Sequence, residues 1–157
     1  MEWLTSEYKA LPGLPGLTAI LSGGHFPGSL CLHWAQESAL FVADTIFTSY
    51  SATNPTPGKE GVISFTWWYS VPNRIPLSPF QIWAVWKSVA SFQFQTTFGA
   101  FQGMDVRENE EEIARGTGGV KGRMRESMRI FIKAMGWTGT EGGRNGHAAH
   151  MILASDV

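Results

Sequence analysis

The chain has 157 residues, a formal net charge of −1, 43% hydrophobic and 16% charged residues, seven Trp, ten Phe and one Cys. This length fits one domain with a real core, and the low charge with the heavy aromatic load excludes a disordered chain. The near-neutral balance argues against a nucleic-acid partner, one cysteine excludes an internal disulfide, and no apolar run approaches 18 residues, which argues against a membrane span or membrane partner.

The opening MEWLTSEYK carries two glutamates and no apolar core, so it does not read as a secretory signal. With the lone Cys31, this makes a reducing, cytoplasmic setting the expectation. Residues 1–16 read as an irregular lead-in punctuated by LPGLPG, 17–137 as the domain, and 138–157 as a Gly-rich flexible tail. Leu17–Leu21 suits a strand, and Ser22–Gly28 a turn. Ser29–Trp34 alternates: Leu30, Leu32 and Trp34 share one face, and Ser29, Cys31 and His33 the other. The polar turn Ala35–Ser38 leads to a second apolar strand, Ala39–Ala43.

Ser49–Gly61 is rich in Ser, Thr, Asn, Pro and Gly and reads as a loop. Val62–Val71 reads as strand or as a loop laid on the core. Ser78–Ala90 is the clearest helix: Ser78 at the N-cap, Pro79 at the first helical position, Gln81 closing a capping box, and Leu77 with Ile82 as a hydrophobic staple. Its buried stripe is Ile82, Trp83, Val85, Trp86 and Val89. Ser91–Thr96 suits a strand that ends at a turn over Thr97–Gly103. The acidic Asp105–Ala114 suits a helix, broken by Gly116–Gly119. Val120–Met135 repeats Val120, Met124, Met128, Phe131, Ile132 and Met135 at helical spacing.

Several residues admit two readings. His147 and His150, at i and i+3, look like a metal pair but fit solvated residues of a Gly-rich tail. His33 and Cys31 fit structural roles. GTGGVKGR at Gly116–Arg123 lacks the ending of a phosphate loop and reads as a linker. The basic residues Lys121, Arg123, Arg125, Arg129 and Lys133 balance the acidic segment before them. Trp67, Trp68 and Tyr69 read either as the wall of a substrate pocket or as core.

GGHFPGSLCLHW at Gly23–Trp34, followed by LFVADTI at Leu40–Ile46, resembles the second half of the metallo-β-lactamase fold superfamily. In that superfamily a Gly-His-x-Pro-Gly-Ser turn precedes a strand, and the next strand ends in Ala-Asp-Thr or Gly-Asp-Thr. IPLSPFQIWAVWKSV and FQFQTTFGAFQGMDVR are similar to the continuation in one branch, and the likeness covers roughly residues 17–107. It implies an α/β fold, half of an αββα sandwich, with one mixed sheet and helices on one face. A sheet so placed leaves an apolar face to be covered by a second copy, a partner or the amino-terminal half, since domains are built of packed layers.

The resemblance also implies an ancestral zinc-dependent hydrolysis of ester, amide or thioester bonds. His25 matches a histidine of the first metal site and Asp44 the carboxylate bridging both metals. Such ligands bring a bound water to a pKa of about 7. Pro27 and Gly28 match the turn that aims the histidine, and Thr45 a neighbour that orients the aspartate. The His-x-His-x-Asp-His signature, however, is not in the 24 residues before His25, and Phe98 stands where a Thr-His-Gly turn places the last histidine. Zinc occupancy is therefore expected to be weak or absent, and no catalytic residue is firm. A truncated or degenerate hydrolase is the first expectation. A non-catalytic binding or dimerising module on the same scaffold is the second.

Overall fold

The structure, a computed structural model, describes residues 8–53, 62–109 and 118–154. It is an α/β arrangement built on a mixed six-stranded sheet. The sheet uses β1 (Tyr8–Ala10), β2 (Leu17–Leu21), β3 (Leu30–Trp34), β4 (Ala39–Ala43), β9 (Thr96–Gly99) and β10 (Asp105–Arg107), side by side in that order. All neighbours pair antiparallel except β4 and β9, which run parallel. Two small ribbons pair β5 (Phe47–Thr48) with β6 (Phe65–Thr66), and β7 (Trp68–Ser70) with β8 (Ile75–Pro76). The helices are α1 (Tyr50–Thr53), α2 (Pro79–Ala90), α3 (Gly119–Ala134) and α4 (Gly143–Ala154).

Helix α2 starts where its sequence dictates. The Ser78 hydroxyl accepts from the Gln81 N–H, and the Gln81 side chain accepts from the Ser78 N–H at 3.1 Å. Ile82, Val85, Trp86 and Val89 are buried and Trp83 is partly so, as the stripe requires. At its far end Lys121 donates to the Ala90 and Phe92 carbonyls at 2.6 and 3.1 Å, which places a cation at a helix C-terminus. Burial holds the Lys121 ammonium below its usual pKa, and Arg125 adds to this.

Helix α3 buries Val120, Met124, Met128, Phe131 and Ile132. Ser127, fully buried, clamps it to the ribbon: its hydroxyl accepts from the Ser64 and Phe65 N–H groups at 2.8 and 3.1 Å and donates to the Arg123 carbonyl. Arg123 reaches the Ser64 hydroxyl and the Ala52 carbonyl.

Pairing partners share a sheet face, so the strand registers define two rows across the sheet. Thr18, His33, Leu40, Thr97 and Val106 form one row. From His33 to Val106 this row is buried, and Leu40, Val106, Ile20, Cys31 and Val42 join the cluster that includes α2 and α3. Lys9, Ala19, Leu32, Phe41, Phe98 and Asp105 form the other row, which crosses all six strands. On that second face Leu30 is 46% and Trp34 37% exposed.

Four expectations are corrected. Tyr8–Ala10, placed in the irregular lead-in, is an edge strand paired to β2. Ser91–Thr96 is not a strand: Phe92 closes a turn onto Val89, buried Phe94 anchors the loop, and the strand begins at Thr96 and runs to Gly99. Asp105–Arg107, expected in a helix, is the last strand, because Val106 is inserted into the covered face between two outward charges. The expected tail is also structured. Helix α4 packs on α2, with Ala148, Ala149 and Ile152 buried. Its Gly146 serves close approach: a Cβ there would lie 1.6 Å from the Glu141 carbonyl oxygen. The expected helical residues 110–114, the acidic side chains among them, and Gly116 and Thr117 lie outside the described residues.

Candidate functional site

The β2–β3 loop is fixed by its own hydrogen bonds. The Ser29 carbonyl accepts from the Ser22 and Gly23 N–H groups and from the Ser22 hydroxyl, at 3.0 to 3.1 Å. A β-turn over Phe26–Ser29, with Pro27 and Gly28 in its middle, closes through Ser29 N–H to the Phe26 carbonyl, and the Ser29 hydroxyl accepts from the Phe26 N–H. Gly24, at φ +85°, seats the loop on α2: a Cβ there would meet Val85 Cγ2 at 2.7 Å.

This scaffold holds His25. Its Nδ1 lies 2.9 Å from the Trp68 carbonyl oxygen. A carbonyl only accepts, so Nδ1 carries a proton, and Nε2 is the ring nitrogen not used in this bond. Metal-ligating histidines are commonly oriented in this way.

Asp44 lies in the turn that follows β4 and is half-buried. The preceding Ala43 is left-handed, at φ 45°, a strained conformation for a residue with a side chain. Thr45 is buried, and its hydroxyl is engaged with the Cys31 thiol, as is Ser22. Burial pushes that thiol up to about 11 despite both contacts, which makes Cys31 an inert core residue.

The topology brings three sequence motifs to one end of the sheet. The Leu21–Leu30 pair places the His25 loop there. Strand β4 runs antiparallel to β3, so Ala43 and Asp44 emerge at the same end, and β9 brings Gly99 opposite Ala43. Phe98 does not turn to the site. It stacks on Phe41 on the sheet face opposite the core cluster, centroids 4.9 Å apart, with the Arg107 guanidinium 5.8 Å from its ring.

The donor set does not fit a resident zinc pair. His25 and Asp44 supply two donors, and among the described residues no group of three or more His, Cys, Asp or Glu side chains gathers. Firm zinc sites use three or four protein ligands. His33 is structural: its Nε2 donates to the Gln93 carbonyl at 2.7 Å and its ring lies against Phe92. His147 and His150 are exposed on α4.

A feature that sequence reading only grazed lies on the far side of Trp68. The three aromatics Trp67–Tyr69 divide: Trp67 is core, Tyr69 is 59% exposed, and Trp68 walls a cavity of about 510 Å³ with Phe47, Ser49, Tyr50, Ser51, Thr66, Val71 and Arg74. The Trp-Trp-Tyr cluster was its only signal in the sequence. Nothing there placed Phe47 or Arg74 beside it.

No protein-family model matches the chain, and no solved structure matches it. A protein of Bacillus subtilis (strain 168), named only as uncharacterized protein YmaE, is 31% identical over 102 residues, 62% of this chain and 33% of that protein. The chain thus matches about one third of the length of this relative. Among the described residues, no helix is long and apolar enough to cross a membrane.

Proposed function

We propose that this chain is the carboxy-terminal half of a metallo-β-lactamase-like sandwich, truncated or degenerate at its metal site. In this reading it descends from a zinc-dependent hydrolase of ester, amide or thioester bonds, is inactive alone, and works by taking a second β-sheet onto its open face. The observation that supports this best is the row Ala19–Leu32–Phe41–Phe98, apolar across four strands, half-buried and, among the described residues, outside the buried cluster that includes α2 and α3. Strands of three to five residues, about 4.8 Å apart, give that face a projected area of roughly 300–400 Å². Exposed apolar patches of a few hundred Å² mark interaction sites.

The orientation of His25 supports an inherited ligand position, and Phe98 on the open face supports the loss of another. That YmaE is about three times as long as the matched region supports a reading in which such a sheet is accompanied by further polypeptide. Sheets in sandwiches stack about 10 Å apart with interdigitated side chains. The occupant is an apolar-faced sheet: the amino-terminal half of the sandwich or, where none is supplied, a second copy.

The open row also favours a second reading, a dimerising module without chemistry. Lys9 ends the row at one sheet edge and Asp105 at the other. A two-fold axis along the strands sets each charge over its opposite in the second copy, a self-complementary arrangement.

Elemental analysis and hydrolase assays on the purified chain test the first reading. Well below one zinc per chain is expected, with no turnover of generic esters, thioesters or lactams. Phe98→His, at a position that stacks on Phe41 rather than facing the site, leaves turnover absent. Two firmly held zinc ions per chain, or hydrolysis abolished by His25→Ala, would contradict it.

A further inference from the structure

The cavity beside Trp68 carries an inference that uses neither Asp44 nor the free nitrogen of His25. Its volume, about 510 Å³, falls in the range of small-molecule sites, roughly 300–1,000 Å³. Its apolar walls are Phe47, Trp68 and Val71. Trp68 is held by three contacts: its ring N–H donates to the Thr66 hydroxyl at 2.8 Å, its carbonyl accepts from His25, and Phe131 meets its ring edge-on at 5.0 Å. A wall fixed in this way is pre-organised, which lowers the entropic cost of binding.

Arg74 is the one charged residue among those lining this cavity. No described carboxylate pairs with it. Its backbone is left-handed, at φ 51°, in the turn where its N–H donates to the Val71 carbonyl. That position in a hairpin suits Gly or Asn. An arginine is strained there, and residues held in such conformations cluster at ligand sites. The result is an aromatic-walled hollow whose one full charge among the described lining residues is a positive, planar guanidinium, a group suited to gripping a carboxylate by two parallel hydrogen bonds.

We propose that this cavity binds a small organic monoanion: a carboxylate on a flat aromatic body, with the carboxylate on Arg74 and the body against Trp68 and Phe47. The probes are 2-naphthoate and its uncharged counterpart 2-naphthalenemethanol, titrated by calorimetry and by ligand-observed NMR. The naphthoate should bind at least about tenfold more tightly than the alcohol, as a charge-assisted contact to guanidinium requires. Its affinity should fall with added salt.

Arg74→Gly should remove that preference while the melting temperature holds or rises, because glycine relaxes the turn. Arg74→Lys should keep part of the preference. Trp68→Phe tests the wall and should weaken both probes together. Equal binding of the two probes, naphthoate affinity unchanged in Arg74→Gly, or no binding of naphthoate at millimolar concentration would each overturn the proposal.

Discussion

The two faces of the six-stranded sheet carry comparable apolar side chains and meet opposite surroundings. On one, Ile20, Leu40 and Val42 are fully buried in the cluster that includes α2 and α3; on the other, Leu30 and Trp34 keep about two fifths of their surface exposed. Side-chain chemistry alone does not separate them, because the covered face also includes the polar side chains of Thr18, His33 and Thr97. On the covered face polar groups find partners inside the fold. His33 has the Gln93 carbonyl and Cys31 the hydroxyls of Ser22 and Thr45. The open face carries the apolar row with Thr96 beside it and charges toward its two edges, where Asp105 pairs with Arg107 at 3.4 Å.

The sharpest way to break that comparison is to shorten one leucine on each face. Leu40→Ala should destabilise the chain by about 2–5 kcal/mol, the cost of a buried cavity. Leu30→Ala, on a side chain nearly half exposed, should cost under about 1 kcal/mol. Urea titration of both variants reads the difference, and equal losses would mean that the open face is packed in solution.

A second test acts on the covered side through polarity. Ser127→Ala leaves the buried Ser64 and Phe65 N–H groups without their acceptor. A loss of about 1–3 kcal/mol should follow, with faster amide exchange at both positions.

The smallest expected effect concerns the base of α4, which covers α2. Glu141 accepts from the Thr138 hydroxyl and N–H and from the Gly139 N–H, and these bonds hold its carboxyl down to about 2. A carboxyl lowered by folding adds stability above its unfolded pKa, near 4.5, and loses it as pH falls toward 2. Glu141→Gln should therefore melt slightly below wild type at pH 7, and the gap should close by about pH 2. A gap that is constant with pH would mean that the carboxylate charge plays no part.

The capping box at Ser78 and the apolar stripes of α2 and α3 were legible in the sequence because local rules and tertiary packing agree there. Helix α4 was not: Gly146 reads as flexibility, whereas its missing Cβ lets the chain pass the Glu141 carbonyl. Asp105–Arg107 was misread because three residues of strand between acidic neighbours look like the start of a helix. The alternation of β3 was plain, but nothing in it showed that the Cys31 and His33 side would be the buried one. Of the candidate site, the His25 loop was readable as a turn. Its long-range contacts were not, since the Trp68 carbonyl lies 43 positions away, and the cavity around Arg74 depends on a hairpin whose strained turn has no mark in composition.

The central claim, that the open face is an interface, is tested most directly by sedimentation velocity of the chain alone, beside Leu32→Lys, from about 1 to 100 μM, the range where modest interfaces assemble. The account predicts that the wild type passes from monomer to dimer while Leu32→Lys stays monomeric with an unchanged circular dichroism spectrum. A wild type that remains monomeric throughout, or a Leu32→Lys variant that dimerises equally well, would contradict it.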